Sequence, residues 1–351
     1  DRCQEVAMKA LVHTAPFTMT LQEWDRPSYG PDDLLIRVKA CAICGSDIKG
    51  YSGKTGRRQP PIIMGHEASG VVETVGARVE GFAPGDRVTF DSTVSCGHCY
   101  YCNTGHLNLC DNREVIGVSE GNYRRHGAMA EYVVVPARIA VHLPDTVSFA
   151  QAALVETASI GVHAANRTPL KLNDTVAIVG AGAVGLVTLQ AMRLKGAGKI
   201  IVTDLSPERL EMALQMGADA VVPADDPDQI GAILQHTGPR GADAVVEAVG
   251  LQVTVDTAQA VTRKGGALTL IGNVTPRVSF DLQSLINREI TVHGVCATND
   301  EFADCVELIG TGRISVDPFI AEYAHIEDGQ AVFDRLYQSA GGGLRTVFVF
   351  D

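Results

Sequence analysis

In the first part of the chain apolar positions recur in short alternating runs. Over residues 34–40 apolar side chains alternate with Arg37 and Lys39, and similar β-rich runs recur at 70–75, 87–90 and 132–135. Glycine and proline punctuate these runs, a texture that predicts a compact β-rich domain. After about residue 154 the pattern changes to apolar strand runs separated by helical segments. The six runs at 175–179, 200–203, 220–222, 244–249, 267–271 and 290–295 predict a doubly wound parallel sheet. The tail is mixed again and too short for a domain of its own. The expected organisation is therefore a β-rich domain over 1–154, an α/β dinucleotide-binding domain over 155–295, and a tail over 296–351 that returns to the first domain.

Residues 175–192 form an uncharged stretch of eighteen, the length at which a membrane helix comes into question. Gly180, Gly182 and Gly185 divide it into strand, tight turn and helix start, so no membrane partner is expected. With 351 residues, of which 46% are hydrophobic and 20% charged, the chain can bury a large core, which excludes a disordered or fibrous protein. A net charge of −12 is the wrong sign for gripping phosphate backbones, so nucleic acid is not an expected partner. The first eleven residues carry acids and no apolar signal region, from which a cytoplasmic location is expected. Met8-Lys9-Ala10 has the look of a natural beginning, and residues 1–7 are left out of the fold reading.

Nine cysteines occur, at positions 3, 41, 44, 96, 99, 102, 110, 296 and 305. Cys96, Cys99, Cys102 and Cys110 are spaced C-x2-C-x2-C-x7-C. Thiolates so spaced in a turn can converge on one tetrahedral ion at about 2.3 Å each, which predicts a structural zinc site. An iron-sulfur run of the usual bacterial kind closes after about three residues and is followed by proline; here Asp111 follows a gap of seven. Two disulfides fit poorly with an odd cysteine total and no signal region. His98 and His106 lie within the loop and read as solvated turn residues.

Gly180-Ala181-Gly182-Ala183-Val184-Gly185 follows an apolar strand and opens a helix. In that setting Gly180 permits the turn, Gly182 lets the backbone approach a pyrophosphate, and Gly185 allows helix and strand to pack closely. Free N–H groups at the helix start, around Val184, then face the phosphates. Asp204 closes the next strand, nineteen residues beyond Gly185, where a carboxylate accepts from ribose hydroxyls and repels a 2′-phosphate. That predicts NAD rather than NADP. Ser206-Pro207 supplies the N-cap and first residue of the following helix, which leaves Asp204 for the cofactor. Arg209 is placed either over the adenine or on a solvated helix face.

Cys44-Gly45-Ser46-Asp47, Gly65-His66-Glu67 with Gly70 and Gly76, and Gly85-Asp86-Arg87-Val88 remain. With the four-cysteine lobe and the nucleotide fingerprint in the same order, the chain resembles the zinc-dependent medium-chain dehydrogenases from Met8 to about Val295. The resemblance implies a split, GroES-like β-rich catalytic domain, a Rossmann domain, and a catalytic zinc in the cleft. It makes Cys44 and His66 zinc ligands, sets Ser46 against the substrate hydroxyl, and has Asp47 orient the histidine. Leu154-Val155-Glu156 leading to Gly161-Val162-His163 is similar to the polyol branch, which puts a carboxylate or water in the third ligand place. Glu67 and Glu156 both compete for it. His163 and His293 match no ligand position, and Tyr51 is a candidate wall of the pocket.

Three positions depart from the family pattern. Lys49 stands where many relatives carry a histidine that ends a proton relay, Thr157 replaces a proline after Glu156, and Ala297-Thr298 replaces an arginine-aromatic pair. The resemblance implies an oxidoreductase that moves hydride from a secondary alcohol, a polyol or sugar alcohol, to NAD and gives a ketose. The alternatives are a 3-hydroxy amino acid (threonine-type) or other secondary alcohol dehydrogenase, and a redox-inactive NAD-binding zinc protein. One catalytic and one structural Zn²⁺ are expected, a small-molecule alcohol is the expected partner, and a homotetramer follows from the habit of the relatives.

Overall fold

The structure is a computed structural model and describes residues 7–121, 123–339 and 344–351. Cys3 lies outside the described residues. Contacts divide the chain into two compact units, one running to Glu156 and taking in Phe302–Thr311 and Val316–Asp351, the other comprising Thr157–Glu301 and Gly312–Ser315. Among the described residues no helix is long and apolar enough to cross a membrane.

The first unit is built around the strand Asp33–Ala42. It belongs to a sheet of seven strands, flanked by Glu67–Val75 on one side, while Tyr132–Pro136 and Arg345–Val349 share its other edge in succession. Arg37 is exposed between buried Ile36 and Val38, the alternation expected of a half-covered strand, but Ala40, Cys41 and Ala42 are buried without interruption. The strand is thus covered on both faces at the end that leads to Cys44. There Ala42 pairs with Glu67 on one side and with Val347 on the other. Aromatic side chains of Tyr51, Phe90, Phe333 and Phe348 fill the core behind it. Ala7–Ala15 pairs antiparallel with Thr18–Asp25, so Ala7, set aside in the sequence reading, opens a strand.

The second unit holds a parallel six-stranded sheet: β1 (Thr175–Val179), β2 (Lys199–Asp204), β3 (Ala220–Pro223), β4 (Ala242–Glu247), β5 (Thr262–Leu270) and β6 (Thr291–Gly294), in the order β3-β2-β1-β4-β5-β6. This is the doubly wound dinucleotide-binding order, with its switch point between β1 and β4. Val179, Ile201, Val222, Val245 and Leu268 are buried, as central parallel strands require. Only β1 has its expected bounds; β2, β3 and β6 differ by no more than one residue at either end, and β4 and β5 by more, for local reasons. β4 stops at Glu247 because its side chain turns the chain, with Oε1 accepting from the N–H groups of Val249 (2.9 Å) and Gly250 (2.7 Å). β5 begins at Thr262 because Arg263 reaches Asp243 Oδ1 at 2.6 Å, an anchor that its polar opening gives no sign of.

The glycines of the turn after β1 differ in how closely they are packed. Gly180 has φ +108°, and a Cβ on Gly185 would lie 2.0 Å from Gly180 O, so the helix Ala183–Leu194 can approach β1 only with glycine there. A Cβ on Gly182 would meet nothing within 4 Å. Gly185→Ala is therefore expected to lower unfolding stability by about 2 kcal/mol, whereas Gly182→Ala changes it by less than about 0.5 kcal/mol and weakens dinucleotide binding instead. Chemical denaturation and a dinucleotide titration of both variants check this; equal destabilisation by the two would contradict it.

Candidate active site and metal centres

The Cys96–Cys110 lobe has almost no core of its own. Among residues 96–113 only Asn108 and Cys110 are buried, and Tyr100 is 72% exposed. What it has is sulfur: the four Sγ atoms of Cys96, Cys99, Cys102 and Cys110 lie within 4.8 Å of one another, and none is in a disulfide. The backbone N–H groups of Cys96 and Asn112 donate to Cys110 Sγ at 3.2 and 3.3 Å. The His98 and Cys99 backbone groups hold the Cys96 thiol down at about 6, while burial pushes Cys110 up to about 12. Four thiols so close could hold a metal ion, which would staple a lobe that has little apolar burial of its own. His98 and His106 are exposed and bond to Cys96 O and Thr104 Oγ1, away from the sulfurs.

A second donor group gathers where Asp33–Ala42 ends. Cys44 caps the short helix Gly45–Tyr51, its Sγ accepting from Ser46 N–H at 3.5 Å and its N–H donating to Asp47 Oδ2 at 3.3 Å. Cys44, His66 and Glu67 each offer a ligand atom within 4.8 Å of the others. Ser46 Oγ lies 3.4 Å from His66 Nε2, while His66 Nδ1 lies 3.4 Å from Asp47 Oδ1. One ring nitrogen therefore faces the thiol side and the other a buried carboxylate, the arrangement that fixes a metal-ligating tautomer. Burial opposes a charge on His66, yet Asp47 and the Cys44 thiolate drive its pKa well above the usual histidine range. Burial likewise opposes charge on Asp47, yet His66 and Arg58 hold its carboxyl well below the usual range. The negative groups around His66 favour positive charge at this place. Thiol, imidazole and carboxylate together suit zinc.

Glu67 and Glu156 occupy different positions. Glu67 is fully buried and takes a two-pronged bond from Arg345, Nε to Oε2 at 2.9 Å and Nη2 to Oε1 at 3.1 Å. Glu156 stands outside the three-residue donor group, with Ser92 Oγ 3.5 Å from its Oε1. Burial pushes Glu156 up to about 7, opposed by His66 and reinforced by Glu67 and Asp91; a cation beside it would reverse that push. Sequence reasoning missed Arg345 and Arg58. Arg345 had a signal, a lone charge heading the apolar strand Arg345–Val349. Arg58 had none, because it follows Arg57 in a basic run that reads as solvated loop.

In the second unit both oxygens of Asp204 hold backbone at the end of β2, Oδ2 accepting from Ala181 N–H at 2.7 Å and Oδ1 from Ser206 N–H at 2.9 Å. Ser206 caps the helix Pro207–Gln215, and Arg209 Nη1 sits 3.7 Å from Asp204 Oδ1. Asp204 therefore stands beside the turn that carries Gly180, Gly182, Val184 and Gly185. His163 Nδ1 is 2.7 Å from Glu301 Oε1, a structural pairing, and His293 lies within β6. Tyr51 is not a pocket wall. It is wholly buried among Phe17, Phe333 and Tyr337, its hydroxyl within 2.7 Å of both Phe17 O and Asp334 Oδ1. Lys49 is exposed on its helix.

A dinucleotide-type parallel sheet, a β-rich unit with a thiol-imidazole-carboxylate group, and a four-cysteine lobe define a zinc-dependent dehydrogenase that uses a nicotinamide cofactor. The chain belongs to the zinc-dependent medium-chain dehydrogenases, in their polyol dehydrogenase-like branch. Residues 30–145 match the alcohol dehydrogenase GroES-like domain, and residues 183–311 match the zinc-binding dehydrogenase family. The chain is 34% identical over 312 residues to an L-idonate 5-dehydrogenase of Vitis vinifera, covering 86% of this chain and 84% of that one. It is 32% identical over 335 residues to a sorbitol dehydrogenase of Bacillus subtilis, covering 94% of each. A solved oxidoreductase of unknown specificity from Escherichia coli superposes with a TM-score of 0.93 at 34% identity, over 99% of this chain and 100% of that one.

The Glu67–Arg345 fork carries a stability consequence. Removing one partner leaves the other charge buried, which costs about 3–5 kcal/mol. Arg345→Met is expected to lose stability of that order, and the double variant Arg345→Met/Glu67→Leu to recover most of it. Denaturant unfolding of the three proteins checks this, and equal stability of the single and double variants would contradict it.

Proposed function

We propose that this protein oxidises a secondary alcohol of the polyol or sugar-alcohol class to a ketose, with NAD as the hydride acceptor and zinc held by Cys44, His66 and a glutamate. The observation that carries the reading is the Cys44–His66–Glu67 group with Ser46 Oγ 3.4 Å from His66 Nε2. The polyol class rests on the similarity to proteins named sorbitol dehydrogenase and L-idonate 5-dehydrogenase. A second zinc in the Cys96, Cys99, Cys102 and Cys110 lobe belongs to the same reading, as do a cytoplasmic location and a homotetramer, the last of which rests on the family resemblance alone.

When bound, zinc would act as a Lewis acid toward the substrate hydroxyl, and NAD would accept the hydride. Cys44 and His66 would hold the metal, with Glu67 in their group and Glu156 the competing carboxylate. Asp47 keeps the His66 ring turned so that Nε2 faces the thiol. Ser46 takes the substrate proton on Oγ while its own hydrogen passes to water or a cofactor hydroxyl, so the side chain ends neutral. Asp204, fixed by two backbone N–H groups, would accept from ribose hydroxyls and repel a 2′-phosphate, and its proximity to Arg209 leaves that arginine a poor phosphate anchor. This supports NAD over NADP.

NADH formation across C4 to C6 polyols, 3-hydroxy amino acids and ethanol, with NAD and NADP in parallel, tests the reading. Polyols with NAD are expected to be fastest, and Asp204→Ala to narrow the preference for NAD. Ser46→Ala should lower kcat by about 100-fold at neutral pH and less at high pH, where bulk base can substitute. Faster turnover of ethanol than of every polyol would overturn the substrate class, and an equal or higher kcat/KM with NADP would overturn the cofactor. Undiminished activity in Cys44→Ala would overturn the metal chemistry.

A further inference from the structure

Arg58 is a buried arginine, 5% exposed, that no motif announces. Its Nε and Nη2 both donate to Asp47 Oδ1, at 3.2 and 2.9 Å, and the same Nη2 donates to Ser46 Oγ at 3.1 Å. Nη1 reaches Arg57 O at 3.4 Å. The guanidinium thus spans two consecutive residues of the turn that carries Cys44. Room for it comes from Gly50, where a Cβ would lie 2.3 Å from Arg58 Cγ. The helix Gly45–Tyr51 therefore lets the arginine stem lie against its backbone.

A guanidinium has only donors and stays protonated at any working pH. Ser46 Oγ must then accept from Arg58, which fixes the use of one lone pair and leaves the hydroxyl hydrogen and the other lone pair for partners elsewhere. His66 Nε2 is the other side-chain hydrogen-bonding atom found beside Ser46 Oγ among the described residues, and it is the nitrogen that a metal would take. With Nε2 so engaged, Arg58 is what sets the direction of the hydroxyl. Lys49, at the place where relatives end their relay, is exposed on the same helix, whereas Arg58 reaches Ser46 directly.

We propose that Arg58 is a positioning residue for the reaction: by donating to Ser46 Oγ while forked onto Asp47, it fixes the direction in which the Ser46 hydroxyl takes up the substrate proton and gives up its own. The inference rests on the role of Ser46 in the proposed function. In the step itself the substrate O–H proton moves to Ser46 Oγ as the Ser46 hydrogen moves to water or a cofactor hydroxyl. Arg58 keeps all its protons throughout.

The test is a double-mutant cycle on the zinc-loaded enzyme with Arg58→Met, Ser46→Ala and the pair, read by kcat, KM, the solvent deuterium isotope effect on kcat, zinc content and NADH affinity. Arg58→Met is expected to lower kcat about 10- to 100-fold and to raise the solvent isotope effect, while zinc content, NADH affinity and KM stay near the parent values. The pair is expected to be no slower than Ser46→Ala alone, because Arg58 acts through Ser46. Parent-like turnover in Arg58→Met, or losses that multiply in the pair, would overturn the inference. Loss of zinc from Arg58→Met would also overturn it, since the residue would then serve only the Asp47–His66 support. If Ser46→Ala itself turned over like the parent, the failure would lie in the role given to Ser46, and the Arg58 inference would fall with it. Should Arg58→Met not fold, Arg58→Lys replaces it, keeping a charge beside Asp47 without the planar fork. Reduced kcat with zinc retained then supports the inference, and parent-like kcat overturns it.

Discussion

Everything at the candidate active site turns on a surplus of buried negative charge. The Cys44 thiolate, Asp47, Glu67 and Glu156 stand around His66, and two guanidinium groups answer them, Arg58 on Asp47 and Arg345 on Glu67. With every acid counted in its charged form the formal remainder is two negative charges, which a divalent cation neutralises and a single imidazolium does not. Burying the three carboxylates beside the half-buried Cys44 without that compensation is costly in a low-dielectric interior. The upward push on His66 comes from Asp47 and Cys44 against burial, and that on Glu156 comes first from burial and then from Glu67 and Asp91.

Strand register delivers these charges to one place. Asp33–Ala42 ends two residues before Cys44, and its last residue pairs with Glu67 on one edge and with Val347 on the other. Cys44, His66, Glu67 and Arg345 come from three neighbouring strands or the turns at their ends, so a slip of one residue in either pairing would turn Glu67 or Arg345 to the opposite face. The first unit reaches this end of the sheet through its C-terminal strand, Arg345–Val349. The chain's return to the β-rich unit after the second unit is therefore part of the site, because it brings the partner of Glu67.

Legibility in the sequence followed the range of the signal. The parallel sheet was readable because each strand is a short apolar run followed by a helix, and β1 was found with the bounds it has in the structure. Strand ends were less readable where a side chain sets them, as Glu247 does for β4 and Arg263 for β5. The four sulfurs of the lobe and the Cys44 and His66 positions were legible from spacing and family order. Arg58 was not, since nothing local distinguishes it from a solvated arginine in a basic run; Arg345 carried the signal of a lone charge heading an apolar strand, but its partner Glu67 lies in a different strand. Tyr51 misled for the opposite reason. Its neighbourhood to Ser46 in sequence suggested a pocket, but the helix turns it into the core.

The central claim is that a divalent metal, zinc, occupies the charge-surplus pocket at Cys44 and His66 as well as the cysteine lobe. Anomalous diffraction from crystals of the metal-loaded protein, recorded on both sides of the zinc absorption edge, tests it most directly. The account predicts two zinc peaks per chain, one bonded to Cys44 Sγ and His66 Nε2 and one among the four lobe sulfurs. A peak in the lobe alone, with no metal at Cys44 and His66, would contradict it.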